Sequence, residues 1–254
     1  MMIKIKWYLG IAVCLIVLAI SVLSADSRSS HQAQPGFQVS TLGALNVGVY
    51  QGVATLAKLK QHGDFGLGTL EGLDGEMIML NSKAYQVRVN GSAYPVADKA
   101  KTPFSIVTFF HTARSLQLKG QLTYQDLQQQ LDKQLPTPNL PYAVRLQGTF
   151  PALKVRSVPK QTLPYPPLKD VVSRQQRVFA LQNVRGTLVG FRLPQYFRGI
   201  NVAGYHFHFI TDDRKAGGHL LDGIFFKPVV DVQPLQDWKI QFPDNIAFEQ
   251  ALLE

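Results

Sequence analysis

GYHFHFITDDRKAGGHLLD, residues 204–222, holds three of the chain's six histidines. On a β-strand successive side chains point to opposite faces, so His206 and His208 project together while Tyr205, Phe207 and Phe209 point the other way. The segment TDDRKAGG then supplies turn chemistry, with acids, a charge pair and two glycines, before an apolar run restarts at His219. The stretch reads as a β-hairpin. With its loop centred near Arg214, antiparallel pairing sets His219 opposite His208, and three imidazoles from two adjacent strands converge on one point. Three histidines with an open position make a catalytic metal site. The plainer reading is a set of structural histidines lining a polar pocket. Against it, three facing imidazoles in a solvent-poor place with no metal would suffer desolvation and leave acceptors unpaired. The spacing does not choose the metal, because imidazole suits Zn, Fe, Ni and Cu alike.

The chain has 254 residues, 46% of them hydrophobic, enough to bury a core as one large domain or two intimately packed smaller ones. Its formal charge is +9, but lysine and arginine are scattered among apolar residues, without the basic cluster that nucleic acid requires. The charge reads as a solubility feature or a mild attraction for an anionic substrate. At the N-terminus Lys4 and Lys6 precede the apolar run of residues 7–23, and the polar segment SADSRSSHQAQPG follows. This pattern predicts a signal peptide over residues 1–25, cleaved after Ser24 or Ala25, and export to the periplasm or the medium. An uncleaved membrane anchor is the alternative. Cys14, the single cysteine, lies inside the leader, so the exported part has no disulfide framework.

Residues 26–36 are polar and expected to be flexible. VATLAKLKQHG, residues 53–63, has helical spacing with a glycine stop. In GDFGLGTLEGLDGEMIML, residues 63–80, five glycines forbid a long helix and suggest a looped strand that approaches something closely. LDGE could be a plain hairpin turn. It also puts Glu76 at the mouth of the strand MIML, from where a carboxylate reaches a pocket. FSIVTFF (104–110) reads as a buried strand. TYQDLQQQLDKQL (123–135) reads as a helix with a Thr123/Asp126 capping box and an apolar stripe of Tyr124, Leu127, Leu131 and Leu135. Residues 142–150 alternate as a strand, and 164–167 form a loop. Residues 178–193 read as two strands about a turn near Arg185 and Gly186. Short strands follow at 229–232 and 238–242, then a helix at 244–253. No repeat, dinucleotide or P-loop signature is present. The fold class is α+β, dominated by β-structure.

Three stretches together, GDFGLGT with LDGEM, VRSVPKQ, and GINVAGYHFHFITDDRKAGGHLLD, resemble the α-acetolactate decarboxylases, a family of bacterial metalloenzymes, and the resemblance covers roughly residues 45–251. Residues 37–254 are then the catalytic unit. The resemblance implies two closely packed mixed or antiparallel sheet halves with a few helices, a single metal site, and a homodimer. It implies His206, His208 and His219 as ligands of Zn2+, and places Thr69, Glu76 and Arg156 at active-site positions. The family also has a glutamate near its C-terminus, a place that Glu254 or Glu249 would take here, or that the pocket of this chain leaves without an acid. The implied reaction is zinc-dependent decarboxylation of (S)-2-acetolactate to (R)-acetoin and CO2, with the substrate chelated through its keto and hydroxyl oxygens.

The residue chemistry agrees with that implication. Loss of CO2 from acetolactate leaves negative charge that the neighbouring ketone takes up, and a Lewis acid helps where that charge develops. An arginine fork suits a carboxylate or the developing enediolate, although a lone arginine in a sequence is most often a solvated surface residue. A protonated Glu76 would deliver the proton that fixes the handedness of acetoin. No organic cofactor is needed. Two other readings stand beside it: a zinc hydrolase in which Glu76 activates metal-bound water, and an exported, non-catalytic metal- or ligand-binding relative.

Overall fold

Alternating apolar residues build two seven-stranded sheets in the computed structural model, which describes residues 34–253. The expected leader, residues 1–25, and Glu254 lie outside the described residues. The first sheet has the order β16 (Trp238–Gln241), β1 (Gly36–Val39), β8 (Ser105–Thr108), β3 (Phe65–Thr69), β4 (Glu76–Leu80), β5 (Lys83–Val87), β6 (Ala93–Pro95). It is mixed, because β1 and β16 pair in parallel while the rest are antiparallel. The second sheet is antiparallel, in the order β10 (Gln121–Thr123), β14 (Gly217–Phe226), β13 (Gly204–Thr211), β12 (Arg177–Leu193), β11 (Tyr142–Ser157), β15 (Val229–Pro234), β9 (Arg114–Gln117). Because β14 also pairs with β11, strands β11 to β14 curl towards closure. A small ladder joins β2 (Ala54–Thr55) to β7 (Lys101–Thr102).

The period of two along each strand sorts side chains into layers. On β4, Ile78 and Leu80 face the second sheet and meet Val189, Phe191 and Ile210, whereas Met77 and Met79 face outward. That outer face is covered by the short helix over Leu56–Lys60, through Leu56 and Leu59. On the far side of the second sheet, Phe207 and Phe209 pack with Leu127 and Leu131 of the helix over Tyr124–Gln134. In chain order the helices are α1 (Leu42–Asn46), α2 (Leu56–Lys60), α3 (Tyr124–Gln134), α4 (Leu168–Gln175) and α5 (Ile246–Glu249). The order of layers is thus α2, first sheet, second sheet, α3. The expected capping box of α3 is present: Asp126 N–H donates to Thr123 Oγ1, and the Thr123 amide donates to the Asp126 carboxylate.

Two expectations are corrected, and one helix is added. Residues 178–193 do not turn at Arg185 and Gly186; they belong to one continuous strand, β12, with Arg185 opposite Thr149 and Gly186 opposite Gly148. Gly186 serves close approach instead, since a Cβ there would lie 2.3 Å from the Ile210 carbonyl oxygen. The helix expected over 244–253 shrinks to α5, capped by Asn245. Helix α4 was not expected at all, because it follows a proline loop, has no side-chain cap and fully buries only Val171.

Candidate metal centre and active site

The histidine hairpin forms as its spacing predicts. His208 of β13 stands directly opposite His219 of β14, and Arg214 occupies the connecting turn with φ of 60°. His206 and His208 face the first sheet while Phe207 and Phe209 lie in the outer core. His206 Nε2 is 3.2 Å from His208 Nε2 and 3.2 Å from His219 Nδ1, and the third side of the triangle, His208 Nε2 to His219 Nδ1, is 3.3 Å. Among the described residues this is the group of potential ligands that converges.

Burial holds all three imidazoles neutral. It pushes His206 and His219 well below the ordinary histidine value, helped by neighbouring histidines and the Arg156 guanidinium. It also lowers His208, outweighing the opposite pull of Glu76 and the Met77 carbonyl. His208 Nδ1 lies 2.9 Å from Met77 O, an oxygen that can only accept. The proton is therefore assigned to Nδ1, and Nε2 turns a lone pair into the triangle.

These residues fit a metal ion. Nitrogens at about 2.0–2.1 Å from a tetrahedral ion are separated by about 3.3–3.4 Å, close to the observed edges. With His206 and His219 also turning lone pairs inward, a cation at the centre would satisfy all three nitrogens. The Met77 carbonyl orients His208 in the manner of an outer-shell partner of a metal ligand. His206 Nδ1, by contrast, is buried without a partner in the protein.

The acid and the arginine arrive from different sheets. Glu76 opens β4 and is 6% exposed; Arg156 lies on β11 directly opposite His219. Arg156 Nη1 donates to Glu76 Oε1 at 3.0 Å, and Glu76 Oε2 is 3.3 Å from His208 Nε2. The next residue, Ser157, donates its hydroxyl to Val87 O at 2.7 Å, pinning this end of β11 to β5 of the other sheet. Thr69, opposite Glu76 on β3, also lines the cavity, with its hydroxyl donated to Gly75 O at 2.7 Å. That bond braces the turn that delivers Glu76. Gly75 is required there: its φ is 72°, and a Cβ would fall 2.2 Å from Val87 O. Glu249 is exposed on α5 and does not line the cavity. What sequence reasoning missed is the apolar wall opposite these polar groups, which includes Leu42 and Leu45 of α1, Leu168 of α4, and Val202. These come from short connecting segments that carry no periodic signal.

Fold and site define an α+β protein of two packed sheets with a buried three-histidine centre flanked by a carboxylate–arginine pair. Residues 37–254 match the alpha-acetolactate decarboxylase family. The chain is 51% identical over 194 residues to the alpha-acetolactate decarboxylase of Methanosarcina mazei, covering 76% of this chain and 67% of that protein. It is 45% identical to that of Klebsiella aerogenes, with 89% and 86% covered. The crystal structure of alpha-acetolactate decarboxylase from Bacillus subtilis superposes with a TM-score of 0.84 at 37% identity, over 87% of this chain and 94% of that one. The chain belongs to the alpha-acetolactate decarboxylase family, a family of carboxy-lyases.

Proposed function

We propose that this chain decarboxylates (S)-2-acetolactate to (R)-acetoin and CO2 with Zn2+ held by His206, His208 and His219. The observation that carries the reading is the position of Glu76, one oxygen on Arg156 at 3.0 Å and the other 3.3 Å from a metal-facing histidine nitrogen. Zinc is supported by the near-tetrahedral edges of the triangle and by neutral nitrogen donors. Bound there, the ion would supply Lewis acidity towards the keto and hydroxyl oxygens of the substrate.

The protein's own groups account for the remaining needs. Arg156, a donor of fixed geometry, holds the carboxylate or the oxygen on which charge develops. The bond between the carboxyl carbon and the hydroxyl-bearing carbon breaks, CO2 leaves, and the electron pair moves into the neighbouring ketone. Glu76, which takes up a proton from solvent as the substrate's carboxylate replaces it on Arg156, then gives that proton to the carbon that lost CO2. Since it approaches from one wall, acetoin forms in one hand. Burial of Glu76 and His208 limits the access of water to the carbon being protonated.

Export is part of the proposal and is supported by the leader pattern of residues 1–25 alone; a homodimer is supported by the family resemblance. The test of the chemistry is direct. Purified protein loaded with zinc is given racemic acetolactate, and acetoin and its optical rotation are followed. Formation of one enantiomer above the spontaneous rate is expected. Acetoin at the spontaneous rate only, with zinc bound, would overturn the reading and favour a non-catalytic metal-binding role.

A further inference from the structure

The polar side of the cavity is used by the chemistry above, but its apolar side is not. Leu45, Leu73, Phe104 and Val158 are buried and form its floor. Leu42, Leu168 and Val202 are only half-buried and form its rim. The three rim residues come from three separate segments: α1, α4 and the loop before β13.

Two of those segments are bonded to one another, and the third packs against them. The Leu42 and Gly43 amides donate to Ile200 O at 2.9 Å and Gly199 O at 2.8 Å, so the first turn of α1 is bound to the loop that carries Val202. Buried Asn201 donates to Gln38 Oε1 at 2.8 Å, accepts from the Val202 amide at 2.7 Å, and Gln38 donates in turn to Ile200 O at 2.8 Å. Leu168 packs in one cluster with Leu42, Tyr50, Tyr165 and Val171. The segment before α4 is held through the Gln161 amide to Gly72 O at 2.6 Å. Aliphatic side chains on bonded backbone, packed against a buried cluster, make an opening that does not adapt.

We propose that Leu42, Leu168 and Val202 act as a fixed gauge that limits the alkyl substituents a 2-hydroxy-3-keto acid can carry. This rests on the decarboxylase reading. Once the carboxylate, hydroxyl and ketone of such an acid engage the polar side, its alkyl groups are what remains to meet the apolar side. A rim of fixed width accepts a methyl group and rejects each added methylene by steric cost. These are specificity-determining positions, and they touch no reacting atom.

The experiment measures kcat/KM for acids whose hydroxyl-bearing carbon carries methyl, ethyl or propyl. The wild-type protein is compared with Leu168→Ala, Leu42→Ala and Val202→Leu. Phe226→Ala, at an exposed residue away from the cavity, is the control. Each added methylene should cost the wild-type protein about 10-fold, the usual scale for a hydrophobic pocket. Both truncations should raise the ethyl-to-methyl ratio about 10-fold, Val202→Leu should lower it, and the control should leave it unchanged. Because Leu168 and Leu42 are half-exposed, their truncation is compatible with folding, and the ratio cancels any common loss of activity. Decarboxylation with the same ratio in all three rim variants would overturn the gauge and leave the decarboxylase reading intact. No decarboxylation of any member by the wild-type protein would instead overturn that reading, and the gauge with it.

Discussion

The hairpins β13–β14 and β3–β4 each deliver part of the site, and they hold it differently. In β13–β14 the main-chain ladder itself sets His208 opposite His219. In β3–β4, Glu76 stands opposite Thr69, but its direction depends on a turn with positive φ at Gly72, Leu73 and Gly75. That turn is braced by side chains, Thr69 on Gly75 O and Gln86 on Asp74 O. Glu76 itself is steered by Arg156. The ligand triangle is therefore set by strand register, while the acid is set by a turn and an ion pair. Damage to the first should remove the metal, and damage to the second should remove turnover with the metal in place.

His208→Ala makes the largest break. Metal content and catalysis should disappear together, with activity at the spontaneous rate; stoichiometric zinc in that variant by elemental analysis would show that the triangle is not the ligand set. Glu76→Gln should retain zinc and lose turnover by about 10²–10⁴-fold, the range for a general acid. Its residual acetoin should lose its single handedness, and chiral chromatography of the product reads both effects. Arg156→Lys keeps the charge but not the fork, so turnover should fall about 10- to 100-fold, in line with about 1.5–3 kcal/mol for a charge-assisted hydrogen bond. Full activity there would remove Arg156 from the mechanism.

Thr69→Val deletes the brace on Gly75 and should lower stability by about 1–2 kcal/mol in denaturant titration, with Thr69→Ser restoring most of it. A drop in zinc content in Thr69→Val would blur the distinction between the two hairpins. Acid should act most gradually. The three histidines titrate below 6.5 in the fold and near it when unfolded, so the unfolded chain binds more protons. Stability of the metal-free protein should accordingly be complete above about 6.5 and decline as the pH falls towards the depressed folded values. A thermal midpoint that rises on acidification through that window would contradict neutral burial.

The difference between the hairpins also explains what the sequence made legible. The period of a strand is invariant, so HFH and a third histidine past the turn at Arg214 suffice to predict the facing pair and the aromatic reverse side. The fold class follows from the same alternation. Glycine is less legible, because it serves both turns and close packing: Gly75 does turn the chain, whereas Gly186 lies mid-strand against the Ile210 carbonyl. Helix α4 is hidden by a proline loop and by its single fully buried residue. The apolar rim is hidden for another reason. Leu42 and Val202 are far apart in sequence and are joined through Asn201, Gln38 and main-chain bonds, and Leu168 reaches Leu42 by packing, none of which a local pattern encodes.

Arg156, His219 and His208 form one transverse row, each directly opposite the next across β11, β14 and β13. The bonds that align the row join peptide groups and need no ion to form. The spacing across the centre is thus written in the pairing of three strands, so a one-residue slip of β14 would carry His219 away from Arg156 and His208 at once.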